Sequence, residues 1–260
     1  MKLTGERPVE GVTPDSLLAL HRAGYDAIKA RLGAGTVVDV GCGLGFETVN
    51  LARDDRSLVG IDYDAETAAL ARKQWASHGL ATVCADGSRA GLRTGAAAWV
   101  CSSHLIEHFV DPGVHARELA RLCADAGTCF VVTPNKPADF ENPYHVALLD
   151  PDELRTLLSR YFDDVTVQGL DAVDKVKADF EARRATGNKI LRFDVFDLRH
   201  RIPRRWYIAA YKLSLKVMYG LLKNRYAGGT TGITADDFFV TDDIDETTLV
   251  LFATCRQPRR

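Results

Sequence analysis

No charge of one sign dominates this chain, and no apolar run in it approaches the length of a membrane span. Its 33 basic residues face 35 acidic ones, a formal net charge of −2. A general affinity for nucleic acid or for an anionic membrane surface is therefore not expected. Cysteine frameworks are missing too: the six cysteines, at 42, 84, 101, 123, 129 and 255, contain no C-x-x-C pair and stand mostly in or beside apolar stretches. That excludes a ribbon-type zinc site or a disulfide scaffold and leaves reduced, buried thiols. The first seven residues lack the apolar centre of a secretory signal, so a cytoplasmic location is the expectation. No repeat or low-complexity segment interrupts the 260 residues, enough for one sizeable core with an embellishment.

What the chain does have is concentrated in Thr36-Val37-Val38-Asp39-Val40-Gly41-Cys42-Gly43-Leu44-Gly45-Phe46-Glu47-Thr48. A β-branched run, three glycines on alternate positions and a helix-compatible segment read as strand, tight turn and helix start. Without Cβ atoms the glycines let the backbone turn sharply and let a ligand come close to the main chain. A dinucleotide fingerprint would carry its third glycine where Phe46 stands, which weakens a dehydrogenase reading. Asp39 precedes the turn, and Asp62 closes the next apolar run about twenty residues on, where a carboxylate can accept both ribose hydroxyls. A carboxylate beside the turn repels a pyrophosphate but suits a ligand carrying an ammonium and a sulfonium.

This spelling resembles motif I of the class I S-adenosylmethionine (SAM) dependent methyltransferases. The resemblance implies SAM as cofactor and S-adenosyl-L-homocysteine as product. It implies an adenine N6 contact at Asp86, followed by Gly87, and a side chain on the purine at Tyr63. With Asp39, Gly41, Gly43, Gly45, Asp62 and Ser103 these complete the expected cofactor site. Asp86 reads equally as a turn residue before Gly87.

The remaining pattern predicts a Rossmann-like, doubly wound, seven-stranded mixed α/β sheet with an N-terminal cap and a helical insertion before the last strand. Helices are expected over 47–53, 65–75, 113–124 and 151–161, and strands at 57–62, 82–84, 97–102, 128–133, 165–169 and 248–255. The cap takes 1–33, the SAM domain 34–170 and 241–260, and the insertion 171–240. Asp150-Pro151-Asp152-Glu153 carries the signature of a helix start. The insertion is basic at Arg183, Arg184, Lys189, Arg192, Arg199, Arg201, Arg204, Arg205, Lys212, Lys216, Lys223 and Arg225, and aromatic at Trp206, Tyr207, Tyr211, Tyr219 and Tyr226. It reads as a lid, an acceptor wall or a homodimer contact, ahead of a membrane-surface or RNA-binding helix.

Methyl transfer is an in-line displacement on an already activated donor, so the protein chiefly aligns the reactants. An alcohol acceptor gains from a general base, and neutral imidazole suits that task. His145 is the first candidate and His104 the second, while His108 hydrogen-bonds locally. A rival arrangement has His104, Glu107, His108 and His145 holding a divalent cation such as Mg. It rests on a likeness of His104-Leu105-Ile106-Glu107-His108 to the E-x-x-E-H segment of some RNA and quinone O-methyltransferases, although the first glutamate is absent.

Over its length, through Thr4-Gly5-Glu6-Arg7, Leu105-Ile106-Glu107-His108, Thr133-Pro134-Asn135 and Asp236-Asp237, the chain is similar to methyltransferases that build mycobacterial methylmannose and methylglucose polysaccharides. The resemblance implies methylation of a sugar hydroxyl on a small-molecule or oligosaccharide acceptor. Two alternatives stay open: a methyltransferase for RNA or a quinone-like molecule, and a non-catalytic SAM-binding scaffold.

Overall fold

β-Branched runs separated by amphipathic segments fold into alternating strands and helices, because each strand buries both faces and each helix one. The computed structural model describes residues 13–139, 144–191 and 232–260. Its elements are α1 (Asp15–Lys29), β1 (Gly35–Val40), α2 (Phe46–Val49), β2 (Arg56–Asp62), α3 (Ala65–Trp75), β3 (Leu80–Cys84) and β4 (Ala97–Ser103). Then come α4 (Pro112–Leu122), β5 (Cys123–Pro134), α5 (Pro151–Leu158), β6 (Phe162–Ala172), α6 (Asp174–Leu191), β7 (Phe238–Thr241) and β8 (Val250–Pro258).

The sheet order is β3-β2-β1-β4-β5-β8-β6-β7. β1 to β5 are mutually parallel, while β8 lies antiparallel between β5 and β6. This is the mixed, doubly wound arrangement expected, with eight strands instead of seven. The additional one, β7, is a four-residue strand at the sheet's edge, too short to announce itself as a period-2 pattern.

One helix departs from its expected bounds for a local reason, and another begins where its signature placed it. α2 is one turn instead of 47–53, because Asn50, Leu51 and Ala52 donate to carbonyls three residues back and tighten the chain out of the α geometry. α5 starts as anticipated: Asp150 accepts from the Asp152 and Glu153 amides, and Glu153 reaches back to the Asp150 amide.

The chain divides into two compact units. Residues 21–139, 145–171 and 239–260 carry the sheet and a core that includes Val38, Val40, Ile61, Val100, Leu119, Val131, Leu154, Phe162 and Leu251. In the smaller unit Ser16 Oγ donates to Asp179 Oδ2 at 2.7 Å, and Lys175 pairs with Asp237 at 2.9 Å. The Thr4–Arg7 opening and the basic, aromatic run from Arg192 to Tyr226 lie outside the described residues, as do residues 140–143. Five cysteines are buried and Cys84 is exposed, all as free thiols. Among the described residues no helix is long and apolar enough to cross a membrane.

Candidate active site

Because β1 to β5 are parallel, the segments that follow them gather at one edge of the sheet, the carboxyl edge, where α/β folds bind ligands. The turn after β1 holds there because the Gly41 and Cys42 amides donate to Ile61 O of β2 at 2.8 and 3.0 Å. Gly41, Gly43 and Gly45 have φ of 89°, 55° and 78°, the left-handed region. Space is tight at two of them as well: a Cβ on Gly41 would lie 2.9 Å from Leu105 Cδ2, and one on Gly45 2.8 Å from Leu80 Cδ2, so those leucines would have to move. Trp75 Nε1 donates to Leu44 O at 2.9 Å and pins the turn to the end of α3.

Asp39, expected beside the ligand's ammonium, is fully buried beneath the turn. Its carboxylate accepts from Tyr25 Oη at 3.0 and 3.2 Å and from Thr48 Oγ1 at 2.5 Å, tying α1 and α2 to β1. Burial raises its pKa to about 6, against the two hydroxyl hydrogen bonds that lower it. Asp62 is buried at the end of β2, and its Oδ1 accepts from the Asp64 amide at 2.9 Å. Beside it Tyr63 is 60% exposed, a large ring open to a flat ligand. Asp86 makes the turn that the sequence also allowed: Oδ1 accepts from Ser88 N and Oγ at 2.7 and 2.6 Å, bonds that hold its pKa below the usual carboxylate range. Gly87 packs under Leu105, Phe109 and His115. Ser103 ends β4 with its Oγ buried and without a hydrogen-bond partner.

The segment after β4 carries the titratable groups. His104 takes a φ of 51°, unusual for a side-chain-bearing residue, and its ring lies 4.3 Å from that of His21 on α1. Burial lowers both imidazoles, His21 to about 4 and His104 well below its ordinary value, so both are neutral near pH 7. Glu107 is fully buried. Its Oε2 accepts from Thr133 Oγ1 at 3.0 Å, and its Oε1, 3.7 Å from His104 Nδ1, has no hydrogen-bond partner. Burial raises its pKa to about 7. The rings of His108 and His145 meet edge to face at 5.2 Å. His145 Nδ1 is 3.0 Å from Asp139 Oδ2; burial lowers its pKa, but Asp139 and Glu107 outweigh that and raise it.

Among the described residues the atoms of Glu107, His108 and His145 that could ligate a metal all lie within 4.8 Å of one another. His104 is not part of this group: its ring lies against His21, while its Nδ1 stays 3.7 Å from Glu107 Oε1. The residues that sequence reasoning missed are Asp139, Trp75 and His115, and the roles of His21 and Tyr25. Asp139 lies six residues before His145, on a loop where no helical or strand spacing pairs them; the others meet their partners 13 or more positions away, and no local spacing marks such a contact.

Residues 38–131 match the protein family described as "Methyltransferase domain". A "Probable S-adenosylmethionine-dependent methyltransferase" of Mycobacterium tuberculosis is 29% identical over 178 residues, which are 65% of this chain and 64% of that protein. A "Ubiquinone biosynthesis O-methyltransferase" of Xanthomonas oryzae pv. oryzae is 31% identical over 55% of this chain and 61% of its own length. The chain thus spans less than two thirds of either relative. The crystal structure of a Thermotoga maritima "SAM-dependent methyltransferase, possible histamine N-methyltransferase" superposes with a TM-score of 0.58 at 13% identity, over 93% of this chain and 91% of that one. The fold is that of the class I methyltransferases.

Proposed function

We propose that this chain is a SAM-dependent O-methyltransferase acting on a sugar hydroxyl, with His145 as the general base. The observation that carries the reading is the Asp139–His145 pair, 3.0 Å apart at the carboxyl edge of the sheet. A carboxylate that accepts Nδ1–H fixes the tautomer in which Nε2 receives a proton. In the reaction the acceptor oxygen attacks the SAM methyl carbon as the carbon–sulfur bond breaks. The hydroxyl proton passes to His145 Nε2, and S-adenosyl-L-homocysteine leaves.

The glycine turn, Asp62, Tyr63 and the Asp86–Gly87 turn support the cofactor half of this reading, and so does the family match over 38–131. His21 and His104, both neutral near pH 7, add no charge to this part of the site. Ser103 Oγ, His104 Nε2 and Glu107 Oε1 are buried polar atoms without hydrogen-bond partners, a concentration of unmet bonds that supports a functional role for this segment. The test is transfer of labelled methyl from SAM to mannosides, glucosides and their short oligomers. Label is expected with the wild type and not with His145→Ala; no label on any of these sugars overturns the sugar assignment.

A second reading is favoured by the convergence of Glu107, His108 and His145. One carboxylate and two imidazoles suit a first-row transition cation better than Mg, which prefers oxygen ligands. When bound, such a cation would lower the pKa of the acceptor hydroxyl. With Nδ1 directed at Asp139, a cation would take Nε2 of His145, the same nitrogen the base needs, so the two readings exclude each other. Activity abolished by EDTA and restored by manganese or zinc selects the second; activity indifferent to EDTA selects the first.

A further inference from the structure

His115 is a buried imidazole that the proposed chemistry does not use. Its Nδ1 lies 2.8 Å from Gly87 O and its Nε2 2.8 Å from Ser102 Oγ, while its ring stacks on Phe109 at 4.7 Å and 8°. A carbonyl can only accept, so Nδ1 carries the hydrogen; Nε2 of the neutral ring then accepts from the Ser102 hydroxyl. Burial lowers its pKa to about 4, so this tautomer persists across the physiological range. Gly87 sits tightly in the seat so formed, with a Cβ position 3.3 Å from Leu105 and Phe109 and 3.4 Å from His115.

The contact is one rung of three. At steps of three residues α4 grips the loop between β3 and β4: His115 holds Gly87 O, Glu118 accepts from the Ala90 amide at 2.7 Å, and Arg121 donates to Leu92 O at 2.8 Å. The helix that makes these bonds begins four residues after His108. Ser102, on the far side of His115, directly precedes Ser103 and His104. The Asp86–Gly87 turn and the reacting segment are thereby joined through one side chain.

We propose that His115 is a positioning residue that holds the Asp86–Gly87 turn at the distance from β4 that the adenine of SAM requires, and so sets cofactor affinity and its selectivity for the 6-amino group. This rests on the adenine role given to Asp86 above. The distal rungs, Glu118 and Arg121, secure the same loop for stability without reaching the purine.

The test is calorimetric affinity of the full chain for S-adenosyl-L-homocysteine and for S-inosyl-L-homocysteine, which lacks the 6-amino group. His115→Phe keeps the ring stack but leaves Gly87 O and the Ser102 hydroxyl without partners, so the adenosyl ligand is expected to bind about tenfold more weakly and the inosyl ligand less than about twofold. His115→Asn, which restores an N–H near the Nδ1 position, should recover most of the loss. Arg121→Met should lower the melting temperature while leaving the adenosyl affinity within about twofold. If His115→Phe does not fold, Ser102→Ala, which removes one bond, should show the same ligand selectivity at about threefold. Equal weakening of both ligands by the folded His115 or Ser102 variant overturns the proposal. If the wild type itself binds both ligands alike, the adenine role of Asp86 falls instead.

Discussion

Replacing Glu107 with glutamine should stabilise the protein at high pH and not at low pH. The Glu107 carboxyl is fully buried, and burial raises its pKa from 4.5 to about 7. Below pH 4.5 the group is protonated whether the chain is folded or not, and it costs nothing. Between 4.5 and about 7 the unfolded chain ionises while the folded one keeps its proton, so stability falls as pH rises; above about 7 the penalty is constant. At about 1.4 kcal/mol per unit, the full penalty is about 3 kcal/mol. Glutamine cannot ionise and still offers an oxygen to Thr133 Oγ1, but its amide nitrogen would stand without an acceptor where Oε1 now has no partner, at a cost of about 1 kcal/mol. The variant should therefore gain about 2 kcal/mol at pH 8 and lose about 1 kcal/mol near pH 4.5. For a chain of this size that is a relative shift in melting temperature of roughly 5–10 °C between the two pH values. Scanning fluorimetry of wild type and variant from pH 4.5 to 8.5 measures it. A difference in melting temperature that stays constant across the range would refute the argument that Glu107 holds its proton in the fold.

Other perturbations separate the parts of the site. Gly41→Ala meets both a φ of 89° and Leu105 Cδ2 at 2.9 Å, so it should destabilise by about 1–3 kcal/mol and abolish measurable S-adenosyl-L-homocysteine binding, checked by chemical denaturation and calorimetry. Trp75→Phe removes the indole N–H from Leu44 O; cofactor affinity should weaken about three- to tenfold with the fold retained in circular dichroism. Asp139→Asn removes the carboxylate that raises His145. A base of lower pKa sheds its proton at lower pH, so the acid limb of the pH–rate profile should move to lower pH while the plateau rate drops about ten- to a hundredfold. An unmoved limb would show that His145 is not the titrating base.

The strand, turn and helix start around residues 36–48 were legible because the evidence for them is local. β-Branched residues, alternate glycines and the absence of a glycine at Phe46 lie within a dozen positions, and the left-handed φ values follow from them. The same holds for the capping box at Asp150 and for α3, whose ends fall where propensity placed them. β7 escaped because four residues carry too little periodicity. The cut-back of α2 escaped because it depends on which carbonyls its last amides find.

By itself the sequence determined the succession of strands and helices apart from β7, the glycine turn and the acids that follow successive strands, all of which are encoded in short windows. Tertiary structure alone decided how those pieces are used. It buried Asp39 beneath Tyr25 and Thr48, turned His104 onto His21, set Asp139 against His145 and drew Glu107, His108 and His145 together. It also put His115 between Gly87 and Ser102, residues 28 positions away along the chain in one case and 13 in the other. The physical reason is common to all five. A buried polar group takes its partner and its protonation state from whatever the sheet packs beside it, and that neighbour can lie anywhere in the sequence.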